Sequence, residues 1–550
     1  MSRGDESKWD KVLQELGDFG VFQLKNYILI SLVVLLPPVY GFSYVFTAAD
    51  TNYRCRIEEC EPPGAPFMNN RTLLELTIPQ NEGRFARCDR FATINKTLDT
   101  CMISNIDYNT TMKCSDFIYD TTKRTIVSEW NLTCPENEWK LAFVGTMANF
   151  GQFIALPITG FFSDRFGRKT AFIISTLCCG LCGIIKSFSS TYTMLVLFEF
   201  LEMALGSGIY ACGYVLGMEL VGPSKRAFGT LFINSFYTTG GAILGFVAIW
   251  QDYWRDMLRW LYFPCLIVVA YFWLIPESVR WLLTMGRQDE ASKIIRKAAK
   301  RNKVLLSEET IAILHGNTQP SIQPCIQQDV KVNPMGKKKK KSYPIASIFS
   351  SPALLLRLAI CSFCWITNTF VYYGLVINSA SFGDNIHTSF ILGCFIEIPS
   401  FICSYLILDR IGRRWTLCSA FLVSGTACLA IIFTPTGYTG MRLLLFLFGR
   451  FGITISFTSI YLYTTEIFPT ELRSSLLSFC STVGRIGSAI APQTPLLANI
   501  AKSLPMVLFC GTAIAASILI LQAPETLNVK LPDTVQQAEK LNNSTSHNIQ

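Results

Sequence analysis

Two ionisable side chains, Glu397 and Arg485, lie near the middle of long apolar stretches of the sequence. A charge within apolar sequence of this length is costly and usually functional. The planar guanidinium of Arg485 could hold a carboxylate, whereas the carboxylate of Glu397, with aromatic faces nearby, suits an ammonium group. A small zwitterion would satisfy both groups. The alternative is that Glu397 and Arg485 pair with each other as a buried structural bridge.

Aromatic residues that could complete such a site lie on the seventh apolar run, at Trp365, Tyr372 and Tyr373. Packing in the core or against lipid is the alternative for each of them. Two further acids, Glu199 and Glu202, stand three residues apart on one helical face of the fourth run. A contact with a proton or cation and a pair with a basic residue on another helix both remain open for these acids.

The sequence offers little that an enzyme would need. It has three histidines, and no nucleophile and base, metal-ligand set or phosphate-binding loop occurs at adequate spacing. We therefore expect no catalytic residue, no metal and no cofactor.

Apolar runs dominate the chain. Half of its 550 residues are hydrophobic and 16% are charged, which is unusual for a soluble protein of this size. Runs of about 20 apolar residues, long enough to cross the hydrocarbon core of a bilayer, number about twelve. One run spans Tyr27–Thr47, five lie within 141–276 and six lie within 353–523. The first run follows a polar segment and lacks a cleavage site, so we expect it to remain as an anchor. The predicted fold class is an all-α polytopic membrane protein.

The basic residues predict the orientation of the chain. The net charge of +9 is concentrated in short connections and in the central polar segment, the pattern of cytosolic loops, so nucleic acid is not an expected partner. The predicted divisions are a cytosolic amino terminus (1–26), a first transmembrane helix (27–47), an extracellular loop (48–139), helices two to six (140–276), a cytosolic helical and basic loop (277–352), helices seven to twelve (353–523) and a cytosolic tail (524–550).

The first long loop has the chemistry of an oxidising compartment, because an even set of cysteines accompanies several glycan acceptor sequons. The cysteines are Cys55, Cys60, Cys88, Cys101, Cys114 and Cys134, and the sequons begin at Asn70, Asn95, Asn109 and Asn131. We expect three disulfides and glycosylation, but the sequence does not choose among the pairings.

Three motifs of the first half recur in the second half at nearly one offset. Asp-Arg-x-Gly-Arg begins at Asp164 and again at Asp409, a separation of 245 residues, and the Glu219 and Pro276-Glu277 elements recur at separations of 247 and 248 residues. Motifs in register indicate two homologous six-helix bundles. The charged residues of these motifs could form latches that hold the two bundles together on the cytosolic side while the outer side is open: Asp164, Arg165, Arg168, Glu219, Arg226, Asp409, Arg410, Arg413, Glu466 and Arg473. Charge that merely sets topology is the alternative.

These motifs resemble the major facilitator superfamily. The segment Pro276-Glu-Ser-x-Arg-Trp-Leu282 narrows the resemblance to the sugar-porter and organic ion branches, and the cysteine-rich first loop with Tyr461-Leu-Tyr-Thr-Thr-Glu-Ile-Phe-Pro-Thr-Glu-Leu-Arg473 is similar to the organic ion transporter family. The resemblance implies two pseudo-symmetric six-helix bundles, transport by alternating access and a plasma-membrane location.

The resemblance gives a mixed picture of substrate charge. Similar anion and carnitine transporters carry arginine at the position of Arg485, whereas Glu397 matches the acid of cation and carnitine carriers. Phe401 stands where some anion carriers have lysine, and Tyr210 matches an aromatic contact position of cation carriers. At Glu199 the family often has arginine, so this chain departs from its pattern there.

The sequence thus predicts a transporter of small organic cations or zwitterions such as carnitine-like compounds. An organic anion exchanger is one alternative, and a receptor or adhesion protein anchored by its helices is another. The expected partners are the substrate and the lipid bilayer; the oligomeric state and the choice among uniport, exchange and coupling to sodium or protons stay open.

Overall fold

The computed structural model describes residues 12–307 and 351–539, apart from gaps at 18, 59, 63, 68–70, 82–83, 94–105, 121, 384, 436, 470–471, 530–531 and 533–534. Within these residues, nine helices are long and apolar enough to cross a membrane, or ten if the bent helix Pro135–Phe166 is counted as one span. Two further helices pack beside them, one shorter and one carrying Arg485. The predicted all-α architecture is confirmed.

The long helices are numbered here in chain order. They are α1 (Val21–Thr47), α2 (Pro135–Phe166), α3 (Arg168–Lys186), α4 (Tyr192–Glu219), α5 (Arg226–Trp250), α6 (Trp254–Leu274), α7 (Pro352–Ile377), α8 (Ile386–Ile411), α9 (Arg413–Phe433), α10 (Thr439–Ile467), α11 (Arg473–Ile490) and α12 (Leu504–Ile520).

Prolines divide two of these helices. The helix α1 consists of Val21–Val34 and Leu36–Thr47, with two prolines in the first turn of its second part. The helix α2 bends by 41° between Ala155 and Pro157. Proline removes one backbone donor and clashes with the preceding turn, which explains both breaks.

The helices form two groups, α1–α6 and α7–α12, whose most extensive packing is internal, as between α9 and α10 or α2 and α4. The groups meet mainly where α5 packs on α8 and α2 packs on α11. One end of the assembly, here called the loop end, holds the described residues of the segment 48–134. The opposite end, here called the motif end, holds both Asp-Arg-x-Gly-Arg motifs.

The motif end shows the repeat in atomic detail. Glu277 accepts a hydrogen bond from the backbone N–H of Lys169 at 2.9 Å, and Glu525 accepts one from the equivalent N–H of Arg414 at 3.1 Å. Each acid thereby caps the first turn of a helix, where a negative charge is favourable. The glycines that precede these turns, Gly167 and Gly412, both have φ of 100°, a conformation that favours glycine.

The described part of the first loop contains three small antiparallel sheets, which pair β1 with β6, β2 with β3 and β4 with β5. The strands are β1 (Tyr53–Cys55), β2 (Gln80–Asn81), β3 (Arg84–Phe85), β4 (Asp89–Thr93), β5 (Ile106–Lys113) and β6 (Phe117–Tyr119). Disulfides join Cys55 to Cys114 and Cys88 to Cys134. Cys60 is disulfide-bonded as well, and Cys101 lies outside the described residues.

Of the four sequons, Asn109 and Asn131 are exposed, whereas Asn70 and Asn95 lie outside the described residues. The loop is joined to the helices by backbone hydrogen bonds between Arg124 and the start of α6, at 2.8 and 3.1 Å. Its Lys123 also contacts His387 at the start of α8, with 2.5 Å between Nζ and Nε2. The loop therefore touches both helix groups.

The central segment, predicted as a helical and basic loop, contains the helices Val279–Thr284 and Gln288–Asn302 among its described residues. Gly286 separates the two helices with φ of 74°, and residues 308–350 lie outside the described residues. Asn302 ends the second helix and accepts a hydrogen bond at 2.9 Å from the N–H of Phe22 in the first turn of α1. The segment is thus attached to the first helix group.

Candidate functional site

The acid Glu397 forms a buried ion pair with Arg450. Both side chains are 3% exposed, and the Arg450 Nη2 group donates directly to Glu397 Oε1. Tyr372 donates a further hydrogen bond from its hydroxyl to the same oxygen at 2.9 Å. Helices α8, α10 and α7 each contribute one member of this group, which therefore fastens three helices of the second bundle together.

Arg450 is held from two sides by Tyr372. Its Nη1 donates to the Tyr372 carbonyl at 3.2 Å, and its guanidinium carbon lies 4.4 Å from the centre of the Tyr372 ring. A desolvated guanidinium over an aromatic face is attractive. The ion pair and Tyr372 form one wall of a pocket between the two bundles, and Phe42 and Tyr237 from the first bundle form part of another.

Arg450 is absent from the predicted site residues, although the sequence contains a signal for it. The residue stands in the apolar helix α10, and the rule that singled out Glu397, an ionisable group inside an apolar run, applies to it equally. The predicted alternative of a Glu397–Arg485 bridge is wrong, because Glu397 pairs with Arg450 instead.

Arg485 lies on α11 and faces the first bundle. Its Nη1 donates to the side-chain oxygen of Gln152 on α2 at 3.1 Å, while its Nε is buried without a hydrogen-bond partner. Among the described residues, no carboxylate lies within ion-pair distance of Arg485. A half-buried guanidinium with an unused donor is suited to a carboxylate that enters from outside the protein.

Aromatic side chains connect the Glu397–Arg450 pair with Arg485. The Tyr372 ring lies 5.5 Å from Phe457, which lies 5.8 Å from Tyr461, and Tyr461 interacts electrostatically with Arg485. Phe457 and Tyr461 stand four residues apart on α10, so both fall on one helical face. This aromatic wall, Tyr372–Phe457–Tyr461, was not predicted beyond Tyr372.

The remaining predicted aromatics occupy different positions. Trp365 is 1% exposed and donates from its indole N–H to Thr464 at 3.0 Å, with its ring edge-on to Tyr461 at 4.5 Å. Tyr373 packs on Phe42 across the bundle boundary at 5.8 Å.

Tyr210 belongs to the first bundle. It donates to Asn234 at 2.8 Å and stands edge-on to Tyr237 at 5.6 Å. Trp365 therefore packs against Tyr461 of the aromatic wall. Tyr210 contacts Tyr237, which lines the pocket on the side of the first bundle.

The motif residues make their described ion pairs within one bundle. Arg168 pairs with Asp164 at 2.8 Å, and Arg413 pairs with Asp409 and with Glu466, both at 3.1 Å. These pairs lie within one bundle in this structure, and the expectation that the motif residues hold the two bundles together on the cytosolic side while the outer side is open stays a prediction. Each motif is a tight turn between consecutive helices, so its arginine reaches an acid of its own bundle.

The other motif residues complete this arrangement. In the first bundle, Glu219 accepts a hydrogen bond from Ser278, and in the second bundle Glu466 accepts one from Thr526 at 2.5 Å. The four remaining arginines of these motifs also lie at the motif end. Arg165 and Arg410 are exposed, and Arg226 and Arg473 are the first residues of α5 and α11.

The two bundles contact each other through the loop-end half of α2. Thr146 donates to the Ala489 carbonyl at 3.1 Å and accepts from the Gln493 amide at 2.7 Å, and Glu138, one turn from the start of α2, accepts from Asn499. Between α5 and α8, Gly241 and Gly245 allow close approach of Cys394 and Ile391. These contacts join the two bundles in their loop-end half.

Comparison with known proteins agrees with this architecture. The family model described as Major Facilitator Superfamily matches residues 120–492. A protein named "Organic cation transporter protein" from Drosophila melanogaster is 31% identical over 96% of this chain and 94% of its own length. The human "Organic cation/carnitine transporter 2" is 29% identical over 96% of this chain and 93% of its own length.

The fold is also that of a solved transporter. The partially occluded inward-open xylose transporter XylE from E. coli superposes with a TM-score of 0.60 at 15% identity, covering 92% of this chain and 98% of that one. The chain accordingly belongs to the major facilitator superfamily, in its organic ion transporter family, and is a multi-pass membrane transporter of small organic substrates and not an enzyme.

Proposed function

We propose that this protein carries small zwitterions or organic cations, with carnitine-like compounds foremost, across the plasma membrane by alternating access. The observation that carries the proposal is the contrast between two charged groups of the second bundle: Arg485 has no carboxylate partner among the described residues, whereas Glu397 is neutralised by Arg450. The names of the relatives support the same substrate class.

In this proposal the substrate carboxylate binds Arg485. Its charge neutralises the guanidinium, and the planar fork allows two hydrogen bonds. A simple cation would meet an uncompensated positive charge at the same place, so a zwitterion fits the site better than a cation does.

The ammonium end of the substrate then faces the aromatic wall. Quaternary ammonium groups bind to the faces of aromatic rings, and Phe457 and Tyr461 offer such rings between Arg485 and the ion pair. The fixed Glu397–Arg450 pair lies at the far end of the wall. This differs from the expectation that Glu397 alone receives the ammonium, since Arg450 already occupies that carboxylate.

The orientation forms part of the proposal. Residues 48–139 face outside with oxidised cysteines and glycans, and residues 1–26, 277–352 and 524–550 face the cytosol. The motif residues have a gating role in this proposal. They stabilise the helix ends within each bundle, so that each bundle moves as a rigid body.

An organic anion exchanger is the second candidate. Arg485, which has no carboxylate partner among the described residues, could bind an anion. Glu397 would not repel that anion, because Arg450 neutralises its charge. Uptake of labelled carnitine, tetraethylammonium and p-aminohippurate, measured in parallel in cells that express the chain, separates the candidates. Carnitine uptake above that of the other two is expected; uptake of p-aminohippurate alone would replace the proposal with the anion exchanger.

A further inference from the structure

The first bundle contains a second buried charge cluster, made of one base and two acids. Lys186 Nζ lies 3.0 Å from Glu199 Oε2 and also contacts Glu202 directly. Tyr262 donates its hydroxyl hydrogen to the other oxygen of Glu202. The exposures of Lys186, Glu199 and Glu202 are 1%, 3% and 1%.

Three helices build this cluster. Lys186 is the last residue of α3, the two acids lie on α4, and Tyr262 lies on α6. At 1.5 Å per residue the acids stand roughly 10–15 Å from the loop end of α4. They thus lie inside the apolar part of the helix, away from the solvent at its end.

The charges of the cluster do not balance. Two ionised carboxylates against one ammonium leave one net negative charge, which is expensive in a buried, apolar environment. The titratable groups that face the acids from neighbouring helices are neutral in their ordinary states: Tyr40, Tyr44, Cys179, Cys182, Tyr262 and Cys265. None of them supplies the missing positive charge.

Further cations lie on two sides of the cluster. Arg255 and Arg259 of α6 donate to Ser187, the residue after Lys186, and are paired with Glu129 and Asp256. Arg485 is a cation of the proposed substrate site. Tyr40 interacts electrostatically with both Glu202 and Arg485 and donates a hydrogen bond to the Gly206 carbonyl at 3.0 Å. Arg485 lies on the other bundle, so its distance from the cluster changes whenever the bundles move relative to each other. An electrostatic interaction between the cluster and Arg485 therefore depends on the conformation.

We propose that the Glu199–Glu202 pair is a proton-binding site, which takes one proton from water to become one carboxylate and one carboxylic acid beside Lys186. The proton is assigned to the pair and not to one residue, because both carboxyl groups contact the same ammonium group. Binding of this proton converts a carboxylate into a carboxylic acid and removes the excess negative charge. It involves no other reactant. The closed cluster seen here is the proton-holding state.

Release of the proton accompanies hydration of the cluster. The ionised pair is favoured in whichever conformation admits water, so the conformational equilibrium and the pH are linked. This step rests on the proposed function: a neutral zwitterion gains nothing from the membrane potential, and proton coupling would supply the driving force for its accumulation.

The proton itself is measured without any substrate. Infrared difference spectra of the purified full-length protein at acidic and alkaline pH report the C=O stretch of protonated carboxyl groups. The wild-type protein is expected to show a carboxyl band that titrates, and Glu199→Gln and Glu202→Gln are each expected to lose or shift it. Glu290→Gln, a change at a half-exposed acid paired with Arg287, is the matched control and keeps the band.

A wild-type protein without a titrating carboxyl band overturns the proposal, as does a band unchanged in both glutamine variants. Should those variants fail to fold, the triple variant K186M/E199Q/E202Q, which buries no charge at this place, replaces them. A triple variant that keeps the wild-type band overturns the proposal as well. These outcomes do not depend on which substrate is carried.

Transport provides the second readout. At clamped membrane potential, labelled carnitine uptake by the wild type is expected to change by roughly threefold or more over about two pH units, as for one titrating site. Uptake by Glu202→Gln at normal surface abundance is expected to be flat. A flat wild-type profile, or equal pH dependence in the variant, contradicts the coupling. Absent carnitine uptake with a titrating infrared band would refute the proposed substrate and leave the proton site standing.

Discussion

Replacing Glu397 with glutamine is expected to destabilise the folded protein strongly. The substitution leaves the Arg450 guanidinium, 3% exposed, buried without its carboxylate. The contacts that remain to it are the Tyr372 carbonyl and the Tyr372 ring face. Loss of one partner of a buried ion pair costs on the order of 3–5 kcal/mol, and the deep burial of both groups means that solvent screening does not reduce this figure.

The reciprocal variant Arg450→Met strands the Glu397 carboxylate, which then retains only the Tyr372 hydroxyl. We expect a loss of similar size. The double variant E397Q/R450M carries no buried charge at this place and should be close to the wild type, because replacement of a whole buried pair is often neutral. The expected coupling energy between the two positions is therefore about 6 kcal/mol or more, the sum of the two single losses.

Thermal unfolding of the purified variants in detergent, together with surface abundance in cells, measures these changes. Arg485→Gln is the control, since Arg485 contacts the Gln152 amide oxygen and no described carboxylate. The free energy of unfolding of this variant should fall by only about 1 kcal/mol. Single variants as stable as the wild type, or a double variant as unstable as the sum of the two, would refute the reasoning.

Two further predictions concern the loop and the motif end. Because Cys88 and Cys114 are held in disulfides, thiol reagents should not label them on intact cells until a reductant is added; ready labelling without reductant would show that the loop is not oxidised. Asp164→Ala and Asp409→Ala each remove an exposed acid that pairs with Arg168 or Arg413, so the free energy of unfolding should change by less than about 1 kcal/mol. The maximal uptake rate should nevertheless fall more than substrate affinity, and unchanged maximal uptake at normal surface abundance would exclude a gating role.

The helices and the repeat could be predicted because their causes are local. Runs of about 20 apolar residues specify spans whatever surrounds them. The motif turns require glycine at Gly167 and Gly412, where φ is positive, and both bundles repeat that requirement. The major facilitator fold and the class of transporter are accordingly confirmed.

The charge pairs could not be predicted because they depend on packing between helices. Glu397 was recognised as unusual, but its partner Arg450 lies 53 residues away on another helix. Lys186 likewise stands at the end of α3, where the sequence shows only a basic residue near a polar turn. A list of every ionisable residue in the apolar runs would have found these candidates without showing which of them pair.

The most direct test of the account is the substrate profile of Arg485→Asp. If the carboxylate of a zwitterion binds Arg485, the variant at normal surface abundance should lose carnitine uptake while tetraethylammonium uptake is retained or increased, because the variant places a negative charge where a positive one stood. Parallel loss of both substrates, or retained carnitine uptake, would contradict recognition of a zwitterion through Arg485.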